Sequence, residues 1–477
     1  MKSLLHLLAA LFLMIGNVEA KIKLPSLLND NMVLQQQTSV RLWGESSPNA
    51  TVTVAPSWSK AAAHTKADNK GCWELFIQTP AASFTQHTLK FTDGEPVTLR
   101  NILIGEVWLC AGQSNMVMPL NGFDYCPIRD ANQVIADAPN HPAIRMVTIK
   151  PKVALTPQMY TEGSWQMPST ENAKMFSAAA YHYALALQRT LQVPVGIITS
   201  AWGGSRVEGW LPKEILETYK DEDLSIVGTT DKVPVYMQGM LMYNALIYPC
   251  HNYTIKGFLW YQGESNVKSS HTYAERLATM VEHWRTLWKQ KDLPFYFVEI
   301  APFACEYKRD GWIGALLREA QFKAQSLIPN SGMIGTNDLV EDYEEPQIHT
   351  CNKKDIGERL AFMALNRTYR YVGIESDYPS YKSMNISGDK IEIALNHAER
   401  GVSPWIGIKG FEIAGDDKVF HPAEASLNQK EHTITVFSNE VKQPIAVRYC
   451  FRNFLKGNVI NLRNLPLIPF RTDDWHL

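Results

Sequence analysis

A change of rhythm near residue 103 narrows the fold of this chain more than any other feature. From there to about residue 366, short apolar runs alternate with longer helical patterns. The opening run is Ile102 to Leu109. Phe176 to Leu191 carries apolar residues at helical spacing, and Pro194-Val195-Gly196-Ile197-Ile198-Thr199 follows as a buried-type strand. Lys256 to Tyr261 is the next strand, with a helix over Tyr273 to Lys289. Pro294 to Ile300 is another, with a helix near Gly314 to Ser326. Gly332 to Thr336 is the last, and a helix over Asp355 to Asn366 closes the series. Such alternation predicts a parallel sheet with helices on both faces, an α/β/α sandwich. Sheets of this kind place their sites at the carboxyl ends of the strands.

On either side the pattern is different. Residues 21–102 read as short strands with turn punctuation: Thr38 to Trp43, Thr51 to Val54, Cys72 to Ile77 and His87 to Phe91. Strands at that spacing without helices predict a small β-sandwich. Beyond residue 373 the strand rhythm returns at Lys390 to Leu395, Gly407 to Ile413, Thr433 to Phe437 and Ile445 to Tyr449, which predicts a second β domain. The expected domains are therefore 21–102, 103–372 and 373–477.

Residues 1–20 stand apart. Lys2 supplies a basic start, Leu4 to Ile15 an apolar stretch, and Val18-Glu19-Ala20 a small-x-small site. This reads as a secretory signal cut after Ala20, so a secreted or periplasmic protein is expected. The apolar stretch is too short for a comfortable bilayer span, and no other run in the chain is a membrane candidate. A net charge of −2 over 477 residues points away from nucleic acid as a partner. Seven scattered cysteines without a CxxC pair suit buried thiols better than a disulfide framework or a metal site.

Four polar or glycine-rich segments each follow one of the α/β strands. Gly112-Gln113-Ser114-Asn115-Met116 follows the first, and Trp202-Gly203-Gly204-Ser205 follows the strand ending at Thr199. Gln262-Gly263-Glu264-Ser265-Asn266 follows Tyr261, and Ile348-His349 lies between the last strand and the closing helix. Four such loops at corresponding ends of one sheet favour an active site. Acyl transfer needs a nucleophile, a base and donors for the oxyanion. Ser114, at the end of a rigid strand, is the candidate nucleophile. It lacks the second glycine of a G-x-S-x-G elbow, which argues against an α/β-hydrolase fold. Gly203 and Gly204 let a backbone N–H approach a substrate oxygen, Asn266 offers a side-chain amide, and the Ser114 N–H is a third donor. Of thirteen histidines, His349 is the best base, because it sits in a polar loop just before a helix.

These segments resemble the sialate O-acetylesterase family, within the SGNH/GDSL hydrolases. Asp30-Asn31-Met32-Val33-Leu34-Gln35, Tyr243 to Pro249 and Leu465 to Asp473 are similar to further signatures of that family, so the resemblance spans nearly the whole mature chain. It implies Ser114 as nucleophile, His349 as base, Gly203 or Gly204 with Asn266 at the oxyanion, and no metal or organic cofactor. Gln262 and Glu264 are supporting residues on this reading. One departure matters: where such enzymes often carry an aspartate shortly before the histidine, this chain has Pro346 and Gln347. Either the acid is absent or a nearby carboxylate (Glu345, Glu344 or Asp338) replaces it. Arg206 is read as a grip for a substrate carboxylate or as a structural arginine. The expected substrate is an O-acetylated sialic acid. The alternatives are an acetylated glycan such as xylan, or a carbohydrate-binding protein on an inactive esterase scaffold.

Overall fold

The computed structural model describes residues 22–229 and 231–476; the expected signal segment lies outside them. The N-terminal strands are β1 (Val33–Gln35), β2 (Ser39–Glu45), β3 (Thr51–Pro56), β4 (Ala63–Lys66), β5 (Cys72–Gln78), β6 (Ser83–Thr92) and β7 (Pro96–Gly112). The α/β region adds β8 (Ile144–Thr148), β9 (Val195–Ala201), β10 (Gly257–Tyr261), β11 (Phe295–Val298) and β12 (Ser331–Ile334). Its long helices are α1 (Ala178–Leu191), α2 (Ser270–Leu287), α3 (Ile313–Leu327) and α4 (Lys353–Arg367).

Strand β7 belongs to two environments. Its first part is half exposed and pairs antiparallel with β6; from Leu103 it is buried at every position, and it pairs in parallel with β9 from Glu106 and with β10 from Trp108. The composition follows this change, since a strand covered on both faces has no solvent side to keep polar. The boundary expected at 102/103 thus falls inside one continuous strand. Glu106, the one charge in the buried stretch, is met by Gln35 Nε2, Gln36 Nε2 and the Tyr369 hydroxyl.

The parallel sheet runs β8-β9-β7-β10-β11-β12. After β7 the chain first builds one side of the sheet and then the other, so the strand order reverses at β7. Right-handed crossovers taken in opposite directions put their helices on opposite faces. Accordingly α2 packs with α3, while α1 packs with α4. The approach of α1 to α4 is close: a Cβ on Gly357 would lie 2.6 Å from the Ala179 carbonyl oxygen. One hydrophobic core runs from the N-terminal strands through this sheet, and Trp210, Trp260 and Trp284 meet edge to face within it. Trp210 and Trp260 are therefore core residues.

The C-terminal region holds two four-stranded antiparallel sheets with their own core. The strand expected from Gly407 starts only at Phe411, because Gly407 and Gly410 both adopt positive φ. All seven cysteines are free thiols, six of them buried.

Candidate active site

Gly112 is in register with Ala201 on one side and Tyr261 on the other, so three of the four loops leave from one row at the reversal point. There the chain must turn without a side chain. Gly112 has φ 138°, and a Cβ on it would lie 2.1 Å from the Tyr261 carbonyl oxygen. Gln113 N–H then donates to Tyr261 O at 3.0 Å, and Trp202 N–H to Gly112 O at 2.9 Å. The Gln113 side-chain oxygen accepts from Gly263 and Ser265 N–H, tying the nucleophile turn to the β10 loop. Ser114 opens a single turn of helix, Ser114–Val117.

The fourth loop, 335–352, descends from β12 at the sheet edge and brings His349 Nε2 within 2.8 Å of Ser114 Oγ. It is held from within. Glu344 accepts from Cys351 and Glu341 N–H, Thr350 Oγ1 donates to Leu339 O, and Asp338 is bound bidentately by Arg359. Among the described residues the far nitrogen of His349 meets no carboxylate. Nδ1 lies 3.9 Å from Cys126 Sγ, and the Phe123 ring meets the imidazole edge-on at 5.1 Å. The Cys126 thiol in turn donates to Gln347 Oε1 at 3.4 Å.

The nearby carboxylates are engaged elsewhere. Asp338 is committed to Arg359, and Glu345 pairs with Arg309 at 2.9 Å. Glu344 accepts backbone N–H groups of its own loop. Glu264 is buried and accepts from Asn115 Nδ2, the neighbour of Ser114. Asn115 Nδ2 also donates to Ile348 O at 2.8 Å, and its Oδ1 accepts from Lys353 Nζ at 2.7 Å. One amide therefore links the nucleophile turn, the β10 loop, the histidine loop and the start of α4. Burial pushes Glu264 up and Lys353 down, the latter to about 7. Burial, and then the Lys353 charge, push His349 down to about 4.

Two further candidates have partners within the protein. Asn266 is fully buried, with Nδ2 donating to the Glu208 carboxylate and Oδ1 accepting from Val207 N–H and Gln262 Nε2. Its amide braces the loop, as does that of Gln262, which also donates to Ser205 O. The donors left for an oxyanion are backbone groups: the N–H of Ser114, Gly203 and Gly204 meets no acceptor among the described residues. Gly203 adjoins Ser114, since a Cβ on it would lie 3.5 Å from Ser114 Cβ. Arg206 is bound bidentately by Glu222, at 3.0 and 3.1 Å, and donates to Met237 O, so it is a structural arginine.

Asn115, Phe123, Cys126 and Lys353 escaped the sequence reading. Asn115 had a signal, its place beside Ser114. Lys353 had none, because a lysine opening a helix ordinarily reads as exposed. A cavity of about 780 Å³ opens at the other end of the sheet, among Gln36, Glu106, Lys256, Asn330 and Arg370. It contains neither Ser114 nor His349.

A hydroxyl hydrogen-bonded to an imidazole, beside free backbone N–H groups at the reversal point of a parallel sheet, defines the class: a serine ester hydrolase on an α/β/α scaffold. Comparison with known proteins agrees. The family model described as carbohydrate esterase, sialic acid-specific acetylesterase, matches residues 104–366, and the chain belongs to that family. The human sialate O-acetylesterase is 27% identical over 407 residues, covering 79% of this chain and 76% of the human protein. The mouse sialate O-acetylesterase is 26% identical over 449 residues, covering 82% and 81%. The crystal structure of a carbohydrate acetylesterase from Xanthomonas citri superposes with a TM-score of 0.85 at 33% identity, covering 95% of this chain and all of that one. The chain is a carboxylic ester hydrolase acting on carbohydrate O-acetyl groups.

Proposed function

We propose that Ser114 and His349 carry out this hydrolysis as a dyad. The observation that carries the reading is the 2.8 Å contact between His349 Nε2 and Ser114 Oγ, with no carboxylate behind the imidazole among the described residues. Ser114 Oγ attacks the acetyl carbonyl while His349 Nε2 takes its proton. The oxyanion is met by the N–H of Ser114 and of Gly203 or Gly204, groups already oriented and free. The imidazolium then protonates the departing sugar oxygen, which leaves as a hydroxyl, and acetyl-Ser114 remains. Water attacks this ester with His349 again as base, and acetate leaves. Without a carboxylate the imidazolium has less support than in a triad, and the preorganised N–H donors carry more of the barrier lowering.

A small chromogenic acetate tests the reading. The wild type should hydrolyse it, and Ser114→Ala and His349→Ala should each lose about a thousandfold or more in kcat. A wild-type protein that leaves the ester untouched would return the chain to the binding-protein reading. On substrate, the relatives' names suggest O-acetylated sialic acid, with an acetylated neutral glycan as the second reading. The specific observation favouring the second is that Arg206, for which gripping a substrate carboxylate is one of two readings, is held by Glu222. The protein also acts outside the cytoplasm on this reading, after cleavage behind Ala20. N-terminal sequencing of material from the native host should begin at Lys21. Among the described residues no helix is long and apolar enough to cross a membrane.

A further inference from the structure

As a base, His349 works in only one of its two neutral forms. Nε2 takes the proton of Ser114, so it must present a lone pair, and the ring's own hydrogen must sit on Nδ1. Which nitrogen carries that hydrogen is set by what the ring meets on its far side, usually a carboxylate or a backbone carbonyl behind Nδ1. Among the described residues neither is hydrogen-bonded to Nδ1 of His349; the atom it meets is Cys126 Sγ, at 3.9 Å.

A thiol by itself does not decide the tautomer. It accepts a hydrogen bond from Nδ1–H, or it turns its S–H toward a bare Nδ1 and favours the wrong form. What decides is where the S–H points, and here it donates to Gln347 Oε1 at 3.4 Å. An amide oxygen only accepts, and this amide is held the right way round because Gln347 Nε2 donates to Tyr125 O at 3.4 Å. A backbone carbonyl also only accepts, so the direction of every donor is fixed from that end. Gln347 gives its N–H to Tyr125 and takes the thiol hydrogen of Cys126, which leaves the sulfur lone pairs for Nδ1–H. Nε2 is then bare toward Ser114 Oγ, 2.8 Å away.

The chain of donors is anchored in one turn. Phe123 and Cys126 close it through two mutual backbone hydrogen bonds of 3.0 Å, and the Phe123 ring meets the imidazole edge-on at 5.1 Å. The same turn thus supplies the carbonyl that ends the chain, the thiol in its middle and a ring beside the base. Burial pushes the Cys126 thiol up, so it keeps its hydrogen and sets no charge against the imidazole. Sulfur is a weak partner, but the two tautomers of an imidazole lie close in energy, and a weak acceptor of fixed orientation biases the choice.

We propose that Cys126 and Gln347 are positioning residues that act as a pair: the amide orients the thiol, and the thiol holds His349 in the Nδ1–H tautomer that leaves Nε2 free to take the Ser114 proton. An amide at position 347 does little for an imidazolium, but it is well suited to aiming a thiol. The pair orients the base without charging its surroundings. The proposal rests on the dyad reading of Ser114 and His349 and adds the two residues that set its base.

The test has two readouts: kcat and KM on para-nitrophenyl acetate, and the ring-nitrogen NMR signals of isotopically labelled histidine near neutral pH, with His349→Gln identifying those of His349. The wild type should show a protonated Nδ1 and a bare Nε2. Cys126→Ala should lower kcat about tenfold with KM little changed, and should move part of the ring population to the Nε2–H form. Cys126→Ser keeps both a donor and an acceptor and should keep most of the activity and the tautomer. Gln347→Leu frees the S–H and should also lower kcat. Because Gln347 acts only through Cys126, the double variant Cys126→Ala/Gln347→Leu should be no slower than Cys126→Ala alone. Losses that multiply in the double variant, an Nε2–H ring in the wild type, or full kcat in Cys126→Ala would each overturn the proposal. The ring signals need no turnover. If the ester is left untouched while the Nδ1–H tautomer is present and lost in Cys126→Ala, the dyad reading fails and the positioning pair stands.

Discussion

At His349 two influences act in the same direction. Burial withdraws the water that would solvate an imidazolium, and Lys353 adds a like charge, so the pKa falls to about 4. On the proposed dyad the neutral imidazole is the base. Its activity should therefore persist through pH 6 and be lost only as pH falls through about 4, where the ring gains its proton. A solvated imidazole would put the limb at its ordinary value, roughly 6–7. The difference comes first from burial and then from Lys353, which stays protonated throughout that limb because its own pKa is about 7. The pH profile of kcat/KM on a small acetate ester checks this, and a limb near 6.5 would contradict it. Lys353→Met removes the repulsion and should move the limb upward. Cys126→Asp would place a carboxylate beside Nδ1 and should also move it upward. Gln347→Asp should do less, because Gln347 reaches the imidazole only through Cys126.

Among the elements, the carboxyl ends of β7, β9 and β10 carry most of the site. The two glycines that shape this edge should respond differently to one added methyl. Gly112→Ala sets a Cβ against a backbone oxygen at a positive φ, and should prevent stable folding or cost about 3 kcal/mol or more. Gly203→Ala meets only Ser114 Cβ at 3.5 Å, so denaturant stability should change by less than about 1 kcal/mol while kcat drops. Asn115→Ala separates four elements at once and leaves Glu264 and Lys353 buried without their bridge. It should cost about 2–3 kcal/mol and lower kcat at least tenfold. Much of this edge was legible in advance, because strand–loop–helix punctuation repeats at each of its motifs. The partners of Asn266 and Arg206 were not. Both sit at signature loops that suggest ligand contacts, yet they are occupied by Glu208 and Glu222, which lie outside those motifs. A polar side chain's role depends on what the fold brings beside it, and pattern carries little of that.

Across the whole molecule, the three-part layout followed from the change between strand rhythm and strand–helix alternation. The join was harder to place, because β7 is shared by two sheets and offers no break. The C-terminal region is fastened to the α/β region by Arg471 on Glu319 and by Asn453 on Gly314. Within it Arg448 and Asp473 form a fully buried pair at 2.7 Å. Asp473→Ala would strand a buried guanidinium and should cost about 3–5 kcal/mol in denaturant unfolding, with kcat unchanged below the transition. The central claim is chemical: Ser114 is acetylated and His349 drives both halves of the reaction. Mass mapping of enzyme quenched in acid during turnover of a chromogenic acetate tests it most directly. The account predicts one acetyl group on the peptide bearing Ser114 in the wild type and none in Ser114→Ala, whose turnover is lost. An acetyl group on another residue, or turnover surviving in Ser114→Ala, would contradict it.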